Sequence, residues 1–130
     1  MTRLAYLDAS ALVKLVVEEA ESVALNRWYV EARRLVTSRI GVVETMRASS
    51  RRPCDPLHRD RIMSDVEVLE LDPSVAGVAA TLEPPLLRTL DAIHLATALA
   101  LVPELDAFVT YDDRLAAAAR ALGLPVVRPG

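Results

Sequence analysis

The stretch Thr89-Leu90-Asp91-Ala92-Ile93-His94-Leu95-Ala96-Thr97-Ala98 reads as the opening turns of a nearly apolar helix running to about Val102. Residues three and four apart share a helix face, so the lone carboxylate, Asp91, lines up with His94, Leu95 and Ala98. An ionised group at the head of an apolar stripe costs free energy unless a cation or hydrogen bonds compensate it. Two readings are open at this point. Either Asp91 serves the free N–H groups and dipole of the first helical turn, or it belongs to a functional pocket.

Working outward, the chain alternates short apolar runs with helical spacings. Arg3 to Asp8 reads as a buried strand that ends on a carboxylate. A helix follows to Leu15 with Asp8 or Ser10 as its cap, then a second helix from Glu21 to Arg34. Leu35 to Ser38 is a second strand, and Ser38 can cap a helix from about Ile40 to Arg51. Pro53 and Pro56 break that helix, and a short helix continues to about Met63. Val66 to Leu71 alternates at period two, as a strand with one exposed face does. Pro73 opens a helix to Leu82, closed by Glu83-Pro84-Pro85. After the helix at Thr89, Ala107 to Thr110 is a strand, and Asp112 or Asp113 caps a last helix to Leu122 that Gly123 closes. Pro125 to Val127 is a final edge strand. Strands alternating with helices predict an α/β fold, a mainly parallel sheet covered on both faces. With no repeat, low-complexity tract or linker, residues 1–130 form one domain.

Composition narrows the function classes. Fifteen basic and eighteen acidic residues give a net charge of −3, which does not mark the chain as a whole for nucleic acid. Lys14 is the only lysine; the other basic residues are arginines, which suit bidentate phosphate contacts. A hydrophobic fraction of 52% with a mean hydropathy of +0.26 is high for this length and points to apolar surface kept for a partner or second copy. Cys54 is the lone cysteine, so neither an internal disulfide nor a thiolate zinc site is available. No apolar run has the length to cross a bilayer, and the N-terminus lacks the pattern of a signal peptide. The expectation is a cytoplasmic protein.

Four acids stand in suspicious places. Asp8 ends the first strand, Asp112 follows the strand ending at Thr110, Glu44 lies in the apolar turn Gly41-Val42-Val43-Glu44, and Asp91 opens the central helix. Singly, each has a bland explanation: Asp8 and Asp112 as helix caps, Glu44 as a partner of Arg47. As a set they suggest a pocket, because ligands of open α/β sheets bind where strands end and helices begin. Four like charges gathered there require a divalent cation, protons or an arginine. Oxygen ligands without cysteine suit Mg²⁺ or Mn²⁺. His94 and His58 are set aside, since a solitary histidine is more often structural than a ligand. Arg33, Arg34, Arg39, Arg47, Arg51 and Arg52 form either a solvated face or a phosphate-binding rim.

The segments Leu7-Asp8-Ala9-Ser10-Ala11-Leu12-Val13-Lys14, Val42-Val43-Glu44, Leu90 to Ala98 and Phe108-Val109-Thr110-Tyr111-Asp112-Asp113-Arg114-Leu115 match, in order and spacing, those of PIN domains. The chain most closely resembles the VapC-type toxins of bacterial toxin–antitoxin pairs. The resemblance implies a three-layer α/β/α sandwich, usually a homodimer, acting as a Mg²⁺- or Mn²⁺-dependent ribonuclease neutralised by a cognate VapB-like antitoxin. It implies that Asp8, Glu44, Asp91 and Asp112 are the acidic quartet that holds metal and performs catalysis. Ser10 and Thr110 then stand as small polar groups that orient the carboxylates, and Asp113 is a helix cap or an auxiliary group. The segment from Arg51 to Asp65 matches no motif.

Three rival readings share part of this pattern. A phospho-acceptor receiver expects a lysine near a late strand end, where none occurs. A haloacid-dehalogenase-like phosphatase expects an Asp where Ser10 stands. The third is a PIN-like partner of a DNA-bound antitoxin with weak or lost nuclease activity.

Overall fold

A computed structural model describes residues 3–32 and 34–130. Among them, five strands and seven helices alternate. The strands are β1 (Leu4–Leu7), β2 (Arg34–Ser38), β3 (Val66–Leu69), β4 (Ala107–Val109) and β5 (Val126–Val127). The helices are α1 (Ala9–Val16), α2 (Ser22–Glu31), α3 (Arg39–Ser49), α4 (Pro56–Ser64), α5 (Pro73–Thr81), α6 (Thr89–Leu99) and α7 (Asp113–Ala121).

The sheet is parallel throughout, in the order β3-β2-β1-β4-β5. Every residue of β1 is buried, as a central strand of a covered parallel sheet requires. Its side chains alternate between two cores. Ala5 and Leu7 join Leu12, Leu15 and Leu25 from α1 and α2, with Ile62 of α4, on one face. Leu4 and Tyr6 join Leu95 and Ala98 of α6 with Leu115 and Ala119 of α7 on the other. These two cores make the three-layer α/β/α sandwich expected from the alternation. In this order β1 and β4 are neighbours although two strands intervene in sequence. The chain therefore winds away from β1 in both directions, and a crevice opens beyond the C-terminal ends of β1 and β4.

Among the element ends that differ from the sequence reading, three have a clear physical cause. The helix at Thr89 stops at Leu99 and not at Val102, because Pro103 disfavours helical backbone at the residue before it; the chain closes through turns instead, with Val102 N–H donating to Leu99 O. Helix α2 ends at Glu31, and Arg34 N–H donates to Arg3 O at 2.9 Å, so the parallel ladder claims residues that helical spacing had assigned to α2. Strand β3 stops at Leu69, and Asp72 turns to cap α5 through Val75 N–H at 2.8 Å. Among the described residues, no helix is long and apolar enough to cross a membrane.

Candidate active site

Strand register brings the first pieces together. Leu7 lies opposite Val109, so the next positions, Asp8 and Thr110, face each other as the strands end. Thr110 Oγ1 donates to Asp8 Oδ2 at 2.6 Å. Asp8 Oδ1 accepts from Ser10 Oγ at 2.7 Å and from Ala11 N–H at 3.0 Å, which caps α1. Ser10 and Thr110 are braced in turn: Tyr111 N–H donates to Ser10 Oγ at 2.8 Å and Asp112 N–H to Thr110 Oγ1 at 3.1 Å. Asp8 is only 3% exposed. Its burial pushes its carboxyl above the ordinary aspartate range, although the Thr110 and Ser10 hydroxyls that donate to it pull the other way.

Asp112 caps α7, with Oδ1 accepting from Leu115 N–H at 3.0 Å. Capping and site duty are therefore compatible for Asp8 and Asp112, because one carboxylate oxygen serves the helix and the other is left to Thr110 in Asp8 and to Arg88 in Asp112. Asp91 is no cap. Its Oδ2 accepts from Arg88 Nε at 3.0 Å, and the same guanidinium reaches Asp112 Oδ2 from Nη2 at 3.3 Å. Arg88 is the residue before α6 and makes no side-chain cap.

Glu44 arrives on the second turn of α3. Ser38 caps this helix through Gly41 N–H at 3.0 Å. A side chain at Gly41 would stand 2.2 Å from Thr37 Oγ1 and 3.4 Å from His94 Cε1, so only glycine allows α3 to lie this close to β2 and α6. One turn later Glu44 Oε1 accepts from His94 Nε2 at 2.6 Å. Because a carboxylate only accepts, the neutral ring carries its proton on Nε2, and its bare Nδ1 accepts from Tyr6 O–H at 2.6 Å. Burial also raises the Tyr6 phenol pKa, keeping it a donor. The Tyr6 ring stacks on Phe108 at 5.3 Å between centroids. Glu44 thus pairs with His94 and not with Arg47.

Asp8, Glu44, Asp91 and Asp112 line one cleft of about 340 Å³ with Ser10, Arg88 and His94. Among the described residues, no three His, Cys, Asp or Glu side chains stand close enough together to hold one ion as they are positioned. The expected four-carboxylate set therefore shares a cleft without closing into a cage. A divalent cation fits the donor chemistry, which is all oxygen, and Asp91 and Asp112 already converge on one cationic group, the Arg88 guanidinium. Asp113 is not part of this cleft and does not cap α7; its exposed carboxylate accepts from Arg128 Nη1 at 2.7 Å.

The basic residues divide. Arg34 and Arg39 pair with Glu67 and Glu70, and Arg52 with Glu19. Arg47 and Arg51 line a groove with Lys14 that adjoins Glu44 and Ser10. Arg33 lies outside the described residues. His58 Nε2 donates to Leu15 O at 2.8 Å and ties α4 to α1, away from the cleft. Sequence reasoning passed over His94, Arg88 and Gly41. Arg88 had a visible signal, a cation three residues before Asp91.

A parallel sandwich with carboxylates gathered at the C-terminal ends of β1 and β4 defines a class, the α/β domains with an acidic crevice beyond their strand ends. Comparison with known proteins places the chain within that class. A family model described as PIN domain matches residues 5–121, and the chain belongs to this family. It is 39% identical to Ribonuclease VapC47 of Mycobacterium tuberculosis over 131 residues, covering 96% of each chain. It is 42% identical to Ribonuclease VapC46 of the same organism over 130 residues, covering 95% of this chain and 96% of that one. Within the PIN family it is thus of the VapC type. Among solved structures, M. tuberculosis VapC20, described as a Sarcin-Ricin loop cleaving toxin, superposes with a TM-score of 0.72 at 18% identity, over 96% of this chain and 99% of that one. A VapBC2 complex from Rickettsia felis, bound to a DNA fragment from their promoter, gives 0.70 at 14% identity, over 98% and 99%. At these identities both show the shared fold.

Proposed function

We propose that this chain is a metal-dependent endoribonuclease, the toxin of a toxin–antitoxin pair, and that its cleft hydrolyses RNA phosphodiester bonds. The observation that carries this reading is the single cleft lined by Asp8, Glu44, Asp91 and Asp112, in a chain whose relatives are named ribonucleases. These four carboxylates would hold Mg²⁺ or Mn²⁺. Such an ion, when bound, lowers the pKa of water and neutralises charge on phosphate oxygens.

The rest falls to side chains of the protein. Ser10, Thr110 and the Ala11 N–H fix the Asp8 carboxylate. His94 holds Glu44 at the cleft wall, where its second oxygen can take a proton from attacking water. Arg47 and Arg51 give the adjoining groove the positive charge that RNA needs beside an acidic cleft, whereas Lys14 there is paired with Glu19 and Glu21. A VapB-like antitoxin is the natural partner, since structural neighbours include VapBC2. Homodimerisation and a cytoplasmic location belong to the same reading; exposed Val30, Leu57 and Leu86 supply apolar surface for contacts between chains.

The test is cleavage of total cellular RNA by purified protein with Mg²⁺, Mn²⁺ or EDTA, beside Asp91→Asn. Discrete fragments that require metal and vanish in the variant are expected. Equal cleavage by both proteins, or none by folded, antitoxin-free wild type under either metal, would overturn the assignment.

A further inference from the structure

Arg88 occupies an unusual position. Its guanidinium bridges Asp91 and Asp112, two acids 21 residues apart on different helices, through bonds of 3.0 and 3.3 Å. Its backbone is fixed, because Arg88 O accepts the Ala92 N–H at 2.9 Å as α6 begins. Its side chain is not, being 55% exposed. Arg88 also borders a second hollow, lined by Pro84, Leu86, Arg114 and Ala118, which Glu44 does not line. The guanidinium can leave the acids without any change in the helix that carries it.

We propose that Arg88 is a built-in counter-ion that competes with the divalent cation for Asp91 and Asp112 and, once displaced, turns to the phosphate of the RNA. The inference rests on the functional reading above. Two like charges brought together need a cation, and the guanidinium supplies one in the metal-free protein. A dication meeting the same oxygens at short range concentrates twice the charge there, so it wins the exchange. Arg88 is the exposed partner in both pairs, while Asp91 is buried and Asp112 half-buried; solvent at the guanidinium keeps each pair modest and the competition mild. Released, the planar fork of Arg88 is suited to bidentate contact with a phosphate, beside Arg114 in the neighbouring hollow.

The experiment measures Mn²⁺ affinity directly, by electron paramagnetic resonance of free Mn²⁺, for wild type, Arg88→Gln and Asp91→Asn. Steady-state cleavage of an RNA substrate at saturating metal runs alongside. Arg88→Gln is expected to bind Mn²⁺ about three- to tenfold more tightly, the scale of two partly exposed ion pairs, while its KM for RNA rises. Unchanged or weaker Mn²⁺ binding by folded Arg88→Gln overturns the competition, and an unchanged KM overturns the phosphate contact. Failure of the underlying reading looks different: wild type and Asp91→Asn would then bind Mn²⁺ equally.

Discussion

Removing the ring of His94 should cost both stability and activity, and the two losses can be separated. His94 is buried and makes two short bonds, Nε2–H to Glu44 Oε1 and Nδ1 from Tyr6 O–H, each 2.6 Å. His94→Leu leaves the Tyr6 hydroxyl, on a residue with 0% exposure, without this partner. A buried polar group left unsatisfied costs about 1–3 kcal/mol. The Glu44 side contributes little to stability, because that carboxylate is 30% exposed and water can replace the imidazole. Tyr6→Phe keeps the stack on Phe108 but strands the bare Nδ1, at a cost of about 1–3 kcal/mol. The double variant removes both polar atoms, so it should be less destabilised than the two single costs added, by about 1 kcal/mol or more. Urea unfolding of the four proteins in metal-free buffer gives the cycle, and RNA cleavage by the same samples gives the functional half. His94→Leu should cleave less well than Tyr6→Phe, since only the former releases Glu44. Additivity of the two stability costs to within about 0.5 kcal/mol would refute the coupled Tyr6–His94 pair.

Gly41→Ala should lower stability by about 1–3 kcal/mol, as overpacking does, because its Cβ would meet Thr37 Oγ1 at 2.2 Å; urea midpoints check this, and an unshifted midpoint would mean that α3 can move aside. Asp8→Asn should abolish cleavage while raising the melting temperature of the metal-free protein at neutral pH. Burial raises the Asp8 pKa in the folded state, so its contribution is most favourable below the unfolded aspartate pKa and is lost as pH rises through the folded value. The advantage of the variant should therefore shrink as pH falls into the acid range. A melting temperature equal to wild type at every pH would show that the hydroxyl donors fully offset the burial.

The architecture was legible because its signals are local. Prolines, capping residues and the period-two run at Val66 can be read within a few residues, and their alternation dictates a covered parallel sheet. Asp8 and Asp112 were legible for the same reason: a carboxylate directly after an apolar run marks a strand end. His94 was not, because its partners Tyr6 and Glu44 lie 88 and 50 residues away. Only strand register and the close approach allowed by Gly41 bring them together. The choice between Arg47 and another partner for Glu44 was likewise tertiary, as was the division of the arginines. Arg34 and Arg39 face acids of the neighbouring β3 segment, a pairing set by sheet order. Helix ends failed where a non-local bond competed, as at Arg34, whose N–H joins the ladder.

Four acids in one cleft require a divalent cation, protons or an arginine, and the protein uses different means at different members of the set. Asp91 and Asp112 share the Arg88 guanidinium, Glu44 takes the His94 N–H, and Asp8 is held by two hydroxyls and a backbone N–H while burial favours its protonated form. Every acid thus has a partner within the chain, one of them shared, so repulsion among them is countered without a bound metal ion. That separates this cleft from a structural metal site, where binding free energy is folding free energy. Folding should accordingly not depend on metal: chelation should silence cleavage while the sheet, its two cores and the Tyr6–His94–Glu44 relay stay in place.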